Sequence, residues 1–186
     1  MFKMFTTRAA IIAIAAASLS PLAAPAMANP MVGGAAMYAN KTIVDNAMNS
    51  KDHTTLVAAV KAAGLVDTLS GPGPFTVFAP TNEAFDKLPA GTIDTLVKPE
   101  NKDMLTKILT YHVVAGRMTS KDIMAAIKAG GGKVMLTTVQ GEPLTALIMG
   151  GKLMLTDAKG GMATVSIKDV MQSNGVIHVV DAVLMP

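Results

Sequence analysis

One stretch of this sequence decides the fold: FTVFAPTNEAF, residues Phe75–Phe85. The five residues before Pro80 predict a short strand whose side chains point alternately to its two faces. Pro80 then ends the strand, and Thr81 has the side chain of a helix N-cap residue, with Glu83 in the favourable first turn. Phe85 follows one turn later and is predicted to point back into the core. The stretch therefore predicts a strand that leads directly into a helix.

Two further segments extend this pattern. Tyr111 and His112 end a predicted helix, and His112 continues the spacing of Met104 and Ile108, so its ring is predicted to point inward. The closing segment, Asn174–Pro186, reads NGVIHVVDAVLMP. It begins with an Asn-Gly turn and continues as an apolar strand whose two faces alternate. Both segments are predicted to form the core.

In this order and at this spacing, the three segments resemble the two signature segments and the central Tyr-His of a fasciclin (FAS1) domain of the secreted, single-domain bacterial type. The resemblance covers residues 41–186 and implies an α+β fold, a wedge-shaped β-sandwich with helices packed along one side. Fasciclin-like domains are mostly adhesion and binding modules. In that family the Tyr-His pair is structural and also linked to adhesion, which implies that Tyr111 and His112 influence binding without direct contact.

The pattern of the remaining elements also predicts an α+β domain. The first half is mostly helical, and a helix over about Asn101–Tyr111 is predicted to bury Met104, Leu105, Ile108 and Leu109. The second half is rich in short apolar strands, with Gly150 and Gly151 as a two-residue hairpin turn.

The N-terminus has the pattern of a secretory signal peptide over residues 1–28. Lys3 and Arg8 are followed by the short apolar run Ala9–Leu19, and Ala26-Met27-Ala28 supplies the small residues of a cleavage site before Asn29. A span needs about 20 apolar residues, so no transmembrane anchor is predicted to remain after cleavage. The sequence thus predicts a periplasmic or secreted protein, with residues 29–40 as a flexible segment before the domain.

Composition narrows the classes of partner. Cleavage would remove Lys3 and Arg8 and leave the mature chain nearly neutral, with Arg117 as its single arginine, so a nucleic-acid partner is not predicted. The chain has no cysteine, and its core must hold the fold without disulfides. Its 15 methionines allow a copper(I) site or core filling. Because Met135 and Met154 lie in apolar strand-like runs, core filling is preferred.

Polar residues beside the signature segments are the candidate binding residues. Asn82 and Glu83 follow the first strand, and Lys168, Asp169 and Val170 precede the last one. By resemblance, Asp169-Val170 occupies the place of the Asp-Ile-type motif with which animal fasciclin domains contact integrins. The alternative is that Asp169 caps a turn and Val170 belongs to the core.

No catalytic motif with a nucleophile elbow, a zinc-binding helix or a phosphate loop occurs in the sequence. A hydrolase would have to assemble its site from His112 or His178 with residues such as Thr81 or Asp181. No metal site and no cofactor are predicted, and the oligomeric state is left open.

The sequence therefore predicts an exported binding module for cell adhesion, surface attachment or matrix contact. Its predicted partners are envelope or matrix proteins, or polysaccharide. The alternative is a secreted hydrolase that acts on ester-linked polysaccharide or cell-wall material.

Overall fold

The computed structural model describes residues 29–186. The predicted signal peptide, residues 1–28, lies outside the described residues. Within residues 29–186, no helix combines the length and the apolar character needed to cross a bilayer.

Helices occupy most of the first half of this region, and strands most of the second. The helices are α1 (Ile43–Asn49), α2 (Thr54–Ala63), α3 (Val66–Ser70), α4 (Asn82–Asp86), α5 (Thr92–Leu96), α6 (Lys102–Tyr111) and α7 (Ser120–Ala129). The strands are β1 (Met31–Val32), β2 (Ala35–Ala36), β3 (Phe75–Pro80), β4 (Val113–Ala115), β5 (Lys133–Thr137), β6 (Pro143–Met149), β7 (Lys152–Thr156), β8 (Met162–Gln172) and β9 (Gly175–Val180). Short 3-10 turns, Lys51–His53 and Pro99–Asn101, precede α2 and α6.

Seven of the strands form one sheet in the order β4-β3-β9-β8-β7-β6-β5. Strands β3 and β9 are parallel, and the other neighbours in this sheet are antiparallel. Strand β8 connects the two halves of this sheet, β4-β3-β9 and β7-β6-β5. Its first part pairs with β7 and its last part with β9. A bridge between Val114 and Thr138 brings the edge strands β4 and β5 together, so the sheet nearly closes on itself. The predicted α+β class and wedge-like sandwich are confirmed.

Strands β3 and β9 lie in the middle of the fold, with both faces covered. On β3, Val77 and Ala79 join the core beneath the helices, whereas Phe78 joins the core between the two halves of the sheet. On β9, Ile177 and Val179 likewise join the core beneath the helices, whereas Val180 joins the core between the two halves of the sheet. A strand buried on both faces reads as an almost continuous apolar run, which is why these two segments stand out in the sequence.

Each of the two cores has its own set of covering elements. The first lies between β3, β9 and helices α1, α2 and α6, and includes Ile43, Val44, Leu56, Val60, Leu69, Leu105, Ile108 and Leu109. The second is closed by α7 and includes Tyr111, Ile123, Ile127, Leu136, Leu144, Leu153, Leu155 and Leu184.

Local signals position the elements that carry these cores. The Thr81 hydroxyl accepts a hydrogen bond from the Ala84 backbone N–H at 3.2 Å, and Phe85 is buried, as predicted. Gly150 and Gly151 have φ angles of 58° and 77° and form the predicted hairpin turn between β6 and β7. Two positive φ angles in succession are those of a type I′ turn, which glycine adopts without strain.

The segment before α1 differs from its prediction as a flexible stretch. Strands β1 and β2 form a small hairpin over residues 31–36. Val32 is 3% exposed and Met37 is 2% exposed, and both join the first core. Burial of these two apolar side chains stabilises the hairpin on the domain, and the Gly-rich composition concealed this role.

Two methionines also differ from their predicted burial. Met104, predicted on the buried face of its helix, is 58% exposed in the first turn of α6, beyond the edge of the first core. Met135, predicted to fill the core, is 65% exposed because it points outward from the edge strand β5, while its neighbour Leu136 points inward. Apolar runs in edge strands do not distinguish the covered face from the open one.

We expect Asn174→Ala to lower the free energy of unfolding by about 3 kcal/mol, because buried backbone groups would lose their partners. The Asn174 side chain accepts from the Ile43 N–H at 3.0 Å and donates to the carbonyls of Leu69 and Gly71 at 2.7 and 3.0 Å. Urea denaturation would measure the change. Asn49→Ala, which removes one exposed bond to the Asp45 carbonyl, is the control. Equal stability of both variants would contradict this role.

Candidate functional site

Tyr111 and His112 connect the end of α6 to distant parts of the chain. The Leu184 N–H donates to His112 Nε2 at 3.0 Å, so Nδ1 carries the proton and donates to the Ile108 carbonyl at 2.8 Å. The Tyr111 hydroxyl donates to the Pro143 carbonyl at 3.0 Å and accepts from the Ala158 N–H at 3.2 Å. Both side chains are buried, as predicted for His112. Their polar atoms are committed to the fold.

Burial sets the charge state of this pair. Desolvation lowers the pKa of His112 to about 4, against a small opposing effect of its hydrogen bond to the Ile108 carbonyl. Desolvation also raises the pKa of the Tyr111 hydroxyl. Both side chains are therefore uncharged near neutral pH.

His178 is held in a similar way in the middle of β9. Its Nδ1 accepts from the Asp169 N–H at 3.3 Å, and its Nε2–H donates to the Met118 carbonyl at 2.9 Å. The ring stacks on Phe78 with 5.6 Å between centroids. Burial lowers its pKa, so this ring is neutral as well.

His53 is the third buried histidine of the chain. Its Nδ1 lies 2.9 Å from the Ser50 hydroxyl, and desolvation lowers its pKa. The Ala79 carbonyl lies near the ring, but Nε2 has no hydrogen-bond partner of acceptable geometry among residues 29–186. The ring faces a small apolar cavity beneath the N-terminal hairpin, lined by Val32 and Met37.

Asp169 binds the first residue of a helix, α7, whose N-cap is Thr119. Its carboxylate accepts from the Ser120 N–H at 2.6 Å and from the Ser120 hydroxyl, at the start of α7. Its φ angle of 60° marks an irregular point in β8, where the register with β9 shifts. The next residue, Val170, is fully buried. The prediction that Asp169-Val170 contacts a partner is therefore corrected: Val170 belongs to the core, and Asp169 binds the first residue of α7 instead of capping a turn.

Asn82 also has a structural task. Its side-chain oxygen accepts from the Thr55 N–H at 3.1 Å and the Thr54 hydroxyl at 3.2 Å, and its amide donates to the Lys51 carbonyl at 2.8 Å. These bonds fix the start of α2 against α4. Of the predicted pair, Glu83 is the residue left exposed to solvent.

The residues named for a hydrolase are not arranged for one. Both nitrogens of His112 and of His178 are engaged with backbone groups, and the Thr81 hydroxyl caps α4. The Asp181 carboxylate accepts from the Thr164 N–H at 2.7 Å. Nucleophilic catalysis needs a base within reach of the nucleophile. Because both rings already bind backbone groups, neither histidine can serve as that base. Across residues 29–186, no group of three or more His, Cys, Asp or Glu is arranged to hold a metal ion.

Cavities in the described part of the chain differ in what they could bind. One cavity of about 30 Å³ between α1, α2 and α6 is apolar and too small for an organic ligand. A surface hollow of about 460 Å³ is lined by Thr42, Ser70–Pro74, Ser173 and Asn174, and by no charged side chain. A third cavity of about 480 Å³ has charged, hydroxyl and apolar side chains together.

We call this third cavity the β8 cleft. It is lined by Ser120, Met124, Ile148, Gly151, Lys152, Leu153, Thr164, Val165, Ser166, Lys168 and Asp181. Its volume lies within the range of small-ligand sites, about 300–1,000 Å³. Helix α7, the β6–β7 hairpin and strand β8 each contribute side chains to it.

Only part of this cleft could be predicted from the sequence. Lys168 was a candidate for binding and Asp181 for the hydrolase alternative, whereas Lys152, Ser166 and Met124 were not predicted. These residues come together only through the pairing of β7 with β8 and the packing of α7. The one local signal was the Gly150-Gly151 turn, which places Lys152 at the start of β7.

Comparison with known proteins adds to this geometry. A model of the fasciclin domain family matches residues 51–186. Protein sll1483 of Synechocystis sp. is 49% identical over 156 residues, which cover 84% of this chain and 79% of that protein. Cell surface glycolipoprotein MPB83 of Mycobacterium bovis is 37% identical over 159 residues, with 83% of this chain and 64% of that protein covered.

A solved structure has the same fold. It is the FAS1 domain pair from the insect cell adhesion molecule Fasciclin I, with a TM-score of 0.69 and 21% sequence identity. The match covers 78% of this chain and 51% of that chain, so this chain spans about half of the domain pair.

The buried neutral state of His112 predicts that acid destabilises the fold. The pKa falls from 6.5 to about 4 on folding, so the unfolded chain takes up the proton first as pH falls. The free energy of unfolding therefore falls as the pH drops from 6.5 to 4. The total loss from His112 is about 3 kcal/mol.

We therefore expect the difference in unfolding free energy between wild type and His112→Gln to shrink by about this amount from pH 7 to pH 4. Urea denaturation at each pH would measure it. If His112→Gln does not fold, an NMR titration of the wild-type ring serves instead. A ring pKa near 6.5 would contradict the assignment.

We expect Asp169→Ala to cost about 2 kcal/mol of stability, since the Ser120 N–H and hydroxyl would lose their acceptor and alanine tolerates a positive φ poorly. Asp169→Asn should recover part of the loss, because asparagine accepts the Ser120 N–H and tolerates this φ angle. Lys168→Ala, at an exposed neighbour, should change stability by less than about 0.5 kcal/mol. Thermal denaturation compares the three, and unchanged stability of Asp169→Ala would rule out a stabilising bond between Asp169 and Ser120.

Proposed function

The chain belongs to the fasciclin domain family, and we propose that it is an exported binding module that attaches the cell surface to matrix polymers through the β8 cleft. The observation that carries this proposal is the β8 cleft itself, an open cavity that combines two lysines with hydroxyl and apolar side chains. A relative named as a cell surface glycolipoprotein and the fold of an insect cell adhesion molecule support a role at a surface.

The placement of polar groups favours binding over catalysis. His112, His178 and Asp169 are bound to other parts of the fold, so they stabilise it and do not face a ligand. A binding site needs a cavity and suitable charges but no general base. The β8 cleft offers a cavity and two lysines. Among residues 29–186, no contact described above favours the hydrolase alternative.

The cleft is built on well-held elements, as a binding site requires. The carboxylate of Asp169 ties β8 to the first turn of α7, and Lys168 is the residue just before this anchor. The Gly150-Gly151 turn fixes the other lysine, Lys152, at the start of β7. The two lysines are therefore positioned by their neighbours in the chain, Asp169 and the Gly150-Gly151 turn.

Export is part of the same proposal. The predicted signal peptide over residues 1–28 would send the chain out of the cytoplasm, and its lack of cysteine makes folding independent of disulfide formation. The module would then act in the periplasm or outside the cell.

We expect the Lys152→Ala/Lys168→Ala variant to fold normally but to fail in attachment. A strain lacking this protein, complemented with wild type or variant, would be tested for attachment to surfaces and to matrix. The matched control is Lys61→Ala/Lys102→Ala, which removes two exposed lysines from α2 and α6. Attachment that is equal for the variant and wild type would refute a role for the β8 cleft, provided that both proteins are present at the same level.

A further inference from the structure

The β8 cleft exists because β7 and β8 pair over a short length only. Their paired residues are Met154 with Thr164, Leu155 with Ala163, and Thr156 with Met162. Beyond Thr164, strand β8 continues along β9 with two shifts of register before Val170. The two strands diverge there, and side chains of α7 approach the space between them.

The diverging strands bring apolar and polar side chains to the same cavity. The apolar side chains are Met124, Ile148, Leu153 and Val165, from α7, β6, β7 and β8. The hydroxyls are those of Ser120, Thr164 and Ser166. The exposed Ser166 hydroxyl donates to the Val179 carbonyl, so its oxygen lone pairs are left to accept from a ligand, whereas Ser120 is buried and donates to Asp169.

The charges favour a ligand with negative groups. Lys152 and Lys168 are exposed in the cleft, one on each of the diverging strands. Lys87 adds a third cation beside the cleft. The Lys87 ammonium donates to the backbone carbonyl of Asp181, a lining residue, at 2.6 Å. The single carboxylate in the lining, Asp181, already accepts from the Thr164 N–H through Oδ1. Its Oδ2 is left to accept from a ligand hydroxyl.

We propose that the β8 cleft binds a polyuronate, a polysaccharide whose pyranose rings carry carboxylates. This inference rests on the proposed function, since it names the polymer that the same cleft contacts. The ring carboxylates would bind the ammonium groups of Lys152 and Lys168. The C–H face of a ring would pack on Met124, Val165 and their apolar neighbours, while ring hydroxyls would donate to Asp181 Oδ2.

A polyuronate fits these features better than an acidic peptide does. Peptides that add to a sheet need a regular strand edge that offers a ladder of backbone hydrogen bonds. Here two register shifts and the positive φ of Asp169 interrupt any ladder along the part of β8 that β7 leaves free. The apolar side chains beside the lysines also have no use in binding a purely acidic chain.

Isothermal titration calorimetry with the purified protein tests the inference. The probes are tetragalacturonate, the neutral tetrasaccharide cellotetraose, and hexaglutamate as an acidic peptide. We expect tetragalacturonate to bind and the other two to bind at least about tenfold more weakly, a difference of about 1.4 kcal/mol. Raising the salt concentration should weaken the binding of tetragalacturonate, because ion pairs at the surface are screened.

Three variants identify the groups involved. Lys152→Ala/Lys168→Ala should lose the binding of tetragalacturonate by about tenfold or more, whereas Lys61→Ala/Lys102→Ala should keep it. Met124→Ala should also weaken the binding of tetragalacturonate while its charges stay the same. Circular dichroism and urea denaturation would confirm that each variant is folded.

The outcomes separate this inference from the proposed function. If the two cleft lysines are needed for attachment but tetragalacturonate does not bind, the ligand class is wrong and the proposed function stands. If they are not needed for attachment either, both fail. Equal binding of hexaglutamate and tetragalacturonate, or no effect of Met124→Ala, would also overturn the polyuronate assignment, since charge alone would then explain the affinity.

Discussion

The structure depends on the parallel pairing of β3 with β9. The register joins Phe75 to Gly175 and continues without a break to Pro80 and Val180, so a strand from the first half of the domain and its last strand lie side by side. Both strands are covered on both faces, and each therefore contributes to two cores. The helices pack on one face of this pair of strands, and the outer half of the sheet packs on the other.

Hydrogen bonds from polar side chains hold other parts of the chain to this pair of strands. Asn174 holds the start of β9 to α1 and α3, and His112 and Asp157 hold the final residues through the N–H groups of Leu184 and Met185. Groups of this kind resemble catalytic residues in a sequence, since histidine, asparagine and aspartate are used for both purposes. Burial and saturated hydrogen bonding distinguish them, because a buried polar group without a partner would be costly.

The sequence allowed prediction of what is decided locally. The strand of Phe75–Ala79, the cap at Thr81 and the turn at Gly150-Gly151 follow from residues that are neighbours in the chain. The inward direction of His112 followed from helical spacing. The exposure of Met104 and Met135, the burial of Met37 and the β8 cleft could not be predicted in this way, because each depends on which distant element packs nearby. The same holds for Asn82 and Asp169, whose partners lie 27 and 49 residues away.

The place of β9 at the very end of the domain has a consequence for how the protein is made. Strand β3 lacks its parallel neighbour, and both cores lack a wall, until the last strand has been synthesised. Contacts between such distant parts of a chain form late and slowly. The topology thus delays completion of both cores until β9 is available to pair with β3.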